Sequence, residues 1–88
     1  MATKTPPFRK IKIVWKKLDK AWGYAIPGKW TIVIDPRLDD KTMMDILIHE
    51  TDHVLFPFMD EAPIDLAGRT SADVLYRAGF RRITKGDE

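Results

Sequence analysis

The residues of this 88-residue chain that are best suited to chemistry lie together in the segment His49-Glu50-Thr51-Asp52-His53. Two histidines four residues apart project from the same face of a helix, so both imidazoles can reach one Zn²⁺ ion. Glu50 points about 100° round the helix, where its carboxylate can take a proton from metal-activated water and return it to a leaving amine. The pattern predicts a zinc site of the His-Glu-x-x-His type, with His49 and His53 as ligands and Glu50 as the catalytic base and acid.

The same residues can also be interpreted without a metal. On a helix, the two histidines and Glu50 could form a partly exposed polar edge that Asp45, Asp52 and neighbouring lysines satisfy. Placing two imidazoles beside the core without a strong partner is costly, and this favours metal binding.

A catalytic zinc ion needs a third protein ligand, and the composition limits the choice to a carboxylate. The chain has no cysteine, and both of its histidines are already in the motif. Glu61 is the candidate, because it lies about as far beyond a turn at residues 57–58 as His53 lies before it. Asp65, four residues further along the same face, is either the alternative ligand or the partner that holds a histidine tautomer. A competing interpretation is that Asp60 and Glu61 only cap the second helix.

Patterns along the chain predict the elements that must position these residues. Alternating polar and apolar residues predict strands over residues 10–17 and 29–35, and a less regular apolar stretch predicts a short strand between them. We expect the three strands to form one small antiparallel sheet. The side chains expected to face inward on the first strand are Ile11, Ile13 and Trp15, and Trp22 and Trp30 are also expected in the core.

Two helices are predicted after the strands, joined as a hairpin. The first begins at Asp39 or Asp40 and carries the His-Glu-x-x-His segment. The second starts at Asp60 or Glu61 and stops at Gly79. Its expected apolar face consists of Ile64, Ala67, Ser71, Val74, Leu75 and Ala78.

The fold predicted from these elements is a single α+β domain over residues 1–88, with loose tails at 1–8 and 81–88. The net charge of +2 conceals an asymmetry, since Lys4–Lys20 hold seven basic residues and one acid, whereas Asp39–Asp65 hold eight acids and one lysine. Basic residues that alternate with apolar ones are typical of an edge strand, so we do not expect nucleic-acid binding. No apolar stretch approaches the roughly 20 residues that span a bilayer, so we expect a cytoplasmic protein with no membrane partner.

The motif, together with the elements predicted on either side of it, resembles that of the zincin metallopeptidases. A strand before the His49–His53 helix and a later helix with Glu61 are similar to the gluzincin type, whose third ligand is a glutamate on a following helix. The small size is similar to minimal metallopeptidase-like proteins of phages and bacteria, related in pattern to the ImmA/IrrE group. The resemblance covers residues 29–80 and is specific at the motif, and the gap before the acidic ligand is shorter than in larger peptidases.

The resemblance implies one Zn²⁺ ion on His49 and His53, and hydrolysis of a peptide or protein substrate with Glu50 as the base. A phage-encoded member would act in the host cytoplasm. The family's strand before the active-site helix pairs with an extended substrate. This nominates residues 29–35 as a substrate edge, in particular Trp30, Thr31, Ile32 and Val33.

A peptidase also needs a group that stabilises the oxyanion. Tyr76 lies on the same helical stripe as Glu61 and is the first candidate, with Tyr24 and Arg69 as others. Aromatic packing is the competing role for both tyrosines. The alternative function for the whole chain is a zinc-stabilised binding or regulatory module of the same fold that does not catalyse, in which the metal supplements a small core.

Overall fold

The computed structural model describes residues 8–83 of the chain. In this part, three strands precede two helices, and a 3₁₀ turn joins the second and third strands. The elements are β1 (Lys12–Trp15), β2 (Gly23–Ile26), the turn (Pro27–Lys29), β3 (Thr31–Ile34), α1 (Asp40–Leu55) and α2 (Glu61–Arg77). The strands form one sheet, α1 packs on it, and α2 packs on α1. The predicted α+β class, with a small sheet against a helical hairpin, is confirmed.

The sheet is mixed, with β3 in the centre and the order β1-β3-β2. Strand β2 runs antiparallel to β3 with Tyr24 opposite Val33, whereas β1 runs parallel to β3 with Val14 opposite Val33. The prediction of a wholly antiparallel sheet is therefore wrong for β1. The physical reason is burial: Ile32, Val33 and Ile34 are apolar on both faces of β3 and suit a strand with neighbours on both sides. The lysines of β1 suit an edge.

The buried carboxylate of Asp35 fastens the connection between β1 and β2 to the end of β3. Its Oδ2 accepts the Leu18 N–H at 3.0 Å and the Arg37 guanidinium at 2.6 Å, and Arg37 also donates to the Leu18 carbonyl at 3.0 Å. The hydrogen bonds from the Arg37 side chain, and then those from the Leu18 and Arg37 N–H groups, hold the pKa of Asp35 well below its usual range. This network fixes the point where the chain crosses from one side of β3 to the other.

The core lies between the sheet and α1. Its buried members are Ile32 and Ile34 from β3 and Met43 and Val54 from α1. Gly23 in β2 allows the close approach of the helix, because a Cβ atom there would lie 2.8 Å from Ile46 Cγ2 and 2.9 Å from the Val33 carbonyl oxygen.

The helix covers β2 and β3 but not β1. Ile13 and Trp15 face the side of the sheet that carries α1, as predicted, and each lines a pocket with Leu47. They nevertheless remain 46% and 43% exposed, so neither belongs to the buried core. Trp22 is also exposed, while Trp30 and Ile11 pack partly against the core. The reason is that one helix is too narrow to cover a three-stranded sheet.

The predicted helix limits are confirmed, whereas the predicted buried face of α2 is confirmed at Ile64 and wrong at Val74 and Ala78. Asp39 caps α1, its Oδ1 accepting the Thr42 N–H at 2.8 Å, and Gly79 follows α2 with a φ of +100°. The buried residues of α2 are Ile64, Gly68 and Ala72, whereas Val74 is exposed. Gly68 and Ala72 have little or no side chain, so α2 approaches α1 closely along this stripe. The stripe is therefore the face of α2 that is buried.

The tails follow the prediction only in part. Residues 1–7 and 84–88 lie outside the described residues. Arg81 and Arg82 are not loose, because their guanidinium groups lie 3.4 Å from the ring centroid of Tyr76 and 4.3 Å from that of Trp15. None of the helices in residues 8–83 combines the length and the apolar character needed to cross a membrane.

Candidate metal centre

The two helices run antiparallel, which brings the start of α2 beside the last turns of α1. At this end, His49 Nε2 lies 2.7 Å from Glu61 Oε1, and His53 Nε2 lies 3.1 Å from Glu61 Oε2. The two Nε2 atoms are 3.2 Å apart. The structure therefore brings together the three residues that the sequence nominated as ligands.

These separations fit the donor set of a tetrahedral zinc ion. Bonds of roughly 2.0–2.1 Å at tetrahedral angles place neighbouring donor atoms about 3.3 Å apart. Measured to the single oxygen Oε1 of Glu61, the distances are 2.7 Å to His49 Nε2 and 3.3 Å to His53 Nε2, with 3.2 Å between the two Nε2 atoms. Two of the three match this value, and the distance from Glu61 to His49 is shorter. The His49, His53 and Glu61 side chains are 14%, 25% and 67% exposed, so one side of the site is open to solvent, as a substrate would need.

Glu50 lies on the inner side of the same group. It is buried, and a carboxylate oxygen of Glu50 and one ring nitrogen from each of His49 and His53 lie within 4.8 Å of one another. Burial raises the pKa of Glu50, and the neighbouring histidines act in the opposite direction. The Glu50 carboxylate therefore lies beside the histidine donor atoms but is more buried than either histidine.

Asp65 forms no ion pair with either histidine among residues 8–83. Its Oδ2 instead accepts a hydrogen bond from Arg69 Nε at 3.1 Å, one turn further along α2. No hydrogen bond in residues 8–83 joins Asp65 to His49 or His53.

The carboxylate that does lie beside His49 on α1 is Asp45, which the sequence analysis did not assign to the site. Asp45 Oδ1 is buried and has no hydrogen-bond partner among the described residues. Burial raises the pKa of Asp45, and the charge of His49 opposes this. The spacing of four residues between Asp45 and His49 was the signal that could have identified it.

Gly68 sets the distance between the helices at this point. A Cβ atom there would lie 2.6 Å from Asp45 Oδ1, 3.0 Å from the Asp45 carbonyl oxygen and 3.4 Å from His49 Cβ. Only a residue without a side chain therefore lets α2 lie this close to the residues around the site.

Tyr76 lies at the opposite end of the helix pair. Its ring is 5.7 Å from Lys41 Nζ and 3.4 Å from the guanidinium carbon of Arg81. Lys41 precedes His49 by eight residues, which is about 12 Å along a helix. The predicted role of Tyr76 as oxyanion stabiliser is therefore wrong, because the antiparallel helices place it beside the beginning of α1.

The predicted substrate edge is also wrong. Strand β3 pairs with β1 on one side and β2 on the other, so it has no free edge. The residues concerned are Trp30, Thr31, Ile32 and Val33. Within the described sheet, the free edges belong to β1 and β2.

No protein-family model, curated protein or solved structure matches this chain.

Proposed function

We propose that the protein is a zinc-dependent metallopeptidase that hydrolyses peptide bonds in a peptide or protein substrate. The observation that supports it is the convergence of the His49 and His53 Nε2 atoms on the carboxylate of Glu61, with Glu50 buried beside them. The proposal includes the cytoplasm as the place of action, or the host cytoplasm for a phage-encoded chain.

Each residue of the proposed site has a separate role. Zinc held by His49, His53 and Glu61 would activate a water molecule and polarise the substrate carbonyl. Glu50 accepts the proton that the water releases and passes it to the leaving amine. Both histidines bind through Nε2, so their remaining ring proton is at Nδ1.

Of the two free sheet edges, the edge of β2 is the one available to an extended substrate beside α1. Its Gly23 packs against Ile46, which lies one turn before Glu50. An extended peptide paired with β2 would therefore run beside α1. The turn after α1 adds three exposed apolar side chains near the site, those of Phe56, Phe58 and Met59, which suit contact with a protein substrate.

The test measures metal content and hydrolysis on the same preparations. We expect the wild type to bind one zinc ion per chain and to cleave an unfolded protein such as casein. Glu50→Gln should keep the zinc and lose hydrolysis by about 100-fold or more, because only the proton acceptor is removed. His49→Ala should lose both, and Asp52→Asn on the same helix serves as the control that keeps both. A Glu50→Gln variant that cleaves as fast as wild type would exclude this mechanism.

The second candidate is a zinc-stabilised module without catalysis. Two observations favour it: Tyr76 lies away from the site, and the described part has only seven buried apolar side chains, which is a small core. In that case, chelation should lower the unfolding temperature, while no preparation cleaves any peptide.

A further inference from the structure

Strand β1 presents an unpaired backbone edge on the side of the sheet away from β2. The N–H groups of Lys12 and Lys16 donate to the carbonyls of Trp30, just before β3, and of Ile34 in β3, both at 3.0 Å. Because backbone groups alternate along a strand, the N–H and C=O groups of Ile13 and Trp15 point to the opposite edge. No described strand pairs with them there.

An apolar groove of about 720 Å³ lies beside this edge, where α1 fails to cover the sheet. We call it the β1 groove, and its apolar lining residues are Phe8, Ile11, Ile13, Trp30, Ile32, Leu47 and Leu55. Phe8, Ile13 and Leu55 are each more than 40% exposed. The groove thus offers an apolar floor directly next to free backbone donors and acceptors.

The border of the β1 groove is strongly basic. From Phe8 to Lys20 the chain has six basic residues and one acid, Asp19. Arg9 and Lys10 line the groove itself, and Lys12 and Lys16 flank the exposed edge of β1. A segment that binds here must therefore satisfy a backbone edge, an apolar floor and a positive border together.

We infer that the β1 groove binds an extended segment of a partner protein in which acidic residues alternate with apolar ones, added to the sheet as a fourth strand beside β1. The segment's backbone pairs with Ile13 and Trp15, its apolar side chains enter the groove, and its acids face the lysines. This proposed protein-binding surface is lined by none of His49, Glu50, His53 and Glu61, although Thr51 of the same helical segment does line it.

Charge excludes a second copy of this chain as the occupant. Pairing two β1 strands edge to edge would bring Lys12 and Lys16 of each copy beside those of the other, and like charges across a strand pair are destabilising. The alternation of lysines along the edge is itself a known protection against such pairing.

Nucleic acid fits the surface less well than an acidic strand. Single strands bind by stacking bases on free aromatic faces. Here the Arg9 guanidinium lies 4.5 Å from the ring centroid of Trp30, and Arg82 lies 4.3 Å from that of Trp15. Both indole rings therefore already carry a cation from the chain itself.

The experiment uses the full chain and a fluorescein-labelled eight-residue peptide of alternating glutamate with valine or isoleucine. Fluorescence anisotropy in low salt should show saturable one-to-one binding. The control peptide has the same side chains but carries methyl groups on every second backbone nitrogen, and it should bind at least about tenfold more weakly because it cannot complete the strand pairing. Equal binding of both peptides would overturn strand addition.

Two substitutions of Ile13 distinguish the contribution of its backbone N–H to peptide binding from that of its side chain. Ile13→Pro removes the outward N–H but leaves the bonds from β1 to β3, and it should weaken peptide binding about tenfold or more. Ile13→Thr keeps the N–H and should stay within about threefold of wild type. Thermal unfolding of both variants checks that they fold. If the folded Ile13→Pro variant binds as well as Ile13→Thr, the inference is wrong.

Further variants test the role of charge and whether peptide binding depends on the candidate metal centre. Lys12→Glu with Lys16→Glu should abolish binding of the acidic peptide, whereas Glu50→Gln should bind it like wild type, whether or not the protein hydrolyses anything. A 20-nucleotide single-stranded DNA that displaces the peptide and binds more tightly in the same salt would contradict a protein partner and indicate a nucleic-acid surface instead.

Discussion

Glu61 reaches both histidines because it is the first residue of α2, and α2 begins directly beside the last turns of α1. Each of its carboxylate oxygens faces a different ring, Oε1 toward His49 and Oε2 toward His53. Asp65 is one turn further into α2 and forms an ion pair with Arg69 instead. At the scale of single residues, the position at the start of a helix decides which acid can be a ligand.

Substitution of the two acids should therefore have unequal effects on zinc affinity. Glu61→Gln removes a charged ligand atom. It should weaken zinc binding by more than about 100-fold, because loss of a residue that only supports a ligand already costs up to about 100-fold. Asp65→Asn should change it by less than about threefold. Competition with a chromophoric chelator measures both affinities. The reverse order would identify Asp65 as the ligand.

Gly68 is the second residue on which the site depends. Gly68→Ala improves helix propensity by about 1 kcal/mol, yet its Cβ would lie 2.6 Å from Asp45 Oδ1. We expect a net destabilisation of about 1–3 kcal/mol, because the helices must separate. Urea unfolding of the zinc-free protein measures it, with Gly28→Ala as the control, since a Cβ atom at Gly28 has no neighbour within 4 Å. An unchanged urea midpoint for Gly68→Ala would show that the helices can adjust.

At the scale of elements, the start of each helix is stabilised in a different way. Asp39 accepts the Thr42 N–H, and this backbone hydrogen bond lowers the pKa of Asp39. Asp60 holds the corresponding position before α2 but makes no side-chain cap hydrogen bond. The beginning of α1, which positions the motif helix on the sheet, is therefore the more specifically fixed of the two.

Replacement of these two residues by alanine should consequently differ. Asp39→Ala leaves the Thr42 N–H without its acceptor, so the urea midpoint should fall. Asp60→Ala removes only a favourable charge near the start of α2, so the fall should be clearly smaller. Both variants are compared with wild type at neutral pH. A larger fall for Asp60→Ala would mean that its side chain caps α2 in solution.

At the scale of the whole molecule, the proposed metal would join two helices that also meet through small residues and through the ion pair of Lys41 with Asp73. Zinc at 100 times its dissociation constant would stabilise the folded chain by about 2.7 kcal/mol. For a domain of this size, that corresponds to a rise in unfolding temperature of about 10–20 °C. Calorimetry with and without a chelator measures the shift. His49→Ala is the control that should show none, and a wild type insensitive to zinc would contradict the metal centre.

The hydrogen-bond network of Asp35 makes the stability of the whole fold depend on pH. Its pKa is lower in the folded chain than the ordinary value of 3.8, chiefly because of the hydrogen bonds from Arg37. Its contribution is therefore fully present above the unfolded pKa and is lost as the pH falls below that value toward the folded pKa. Urea midpoints measured between neutral and acid pH should fall more steeply for wild type than for Asp35→Asn. Parallel curves would show that Asp35 does not couple folding to pH.

The sequence by itself determined the local features of this protein. The spacing of His49, Glu50 and His53 requires a helix, and the capping residues and Gly79 define where the two helices begin and end. The short link between the helices also made Glu61 the leading candidate to face the histidines. These features depend on residues close together in the chain, so periodicity and turn chemistry are enough to predict them.

The tertiary structure alone decided which strand is central, which face of α2 is buried and which groups reach the site. Strand β3 lies between two neighbours because its apolar residues are buried on both faces, and this removes the substrate edge that local pattern suggested. Gly68 lets α2 lie against Asp45 and His49, and the antiparallel helices carry Tyr76 away. Each outcome depends on contacts between residues distant in the chain, where packing of the whole molecule selects among arrangements that are locally equivalent.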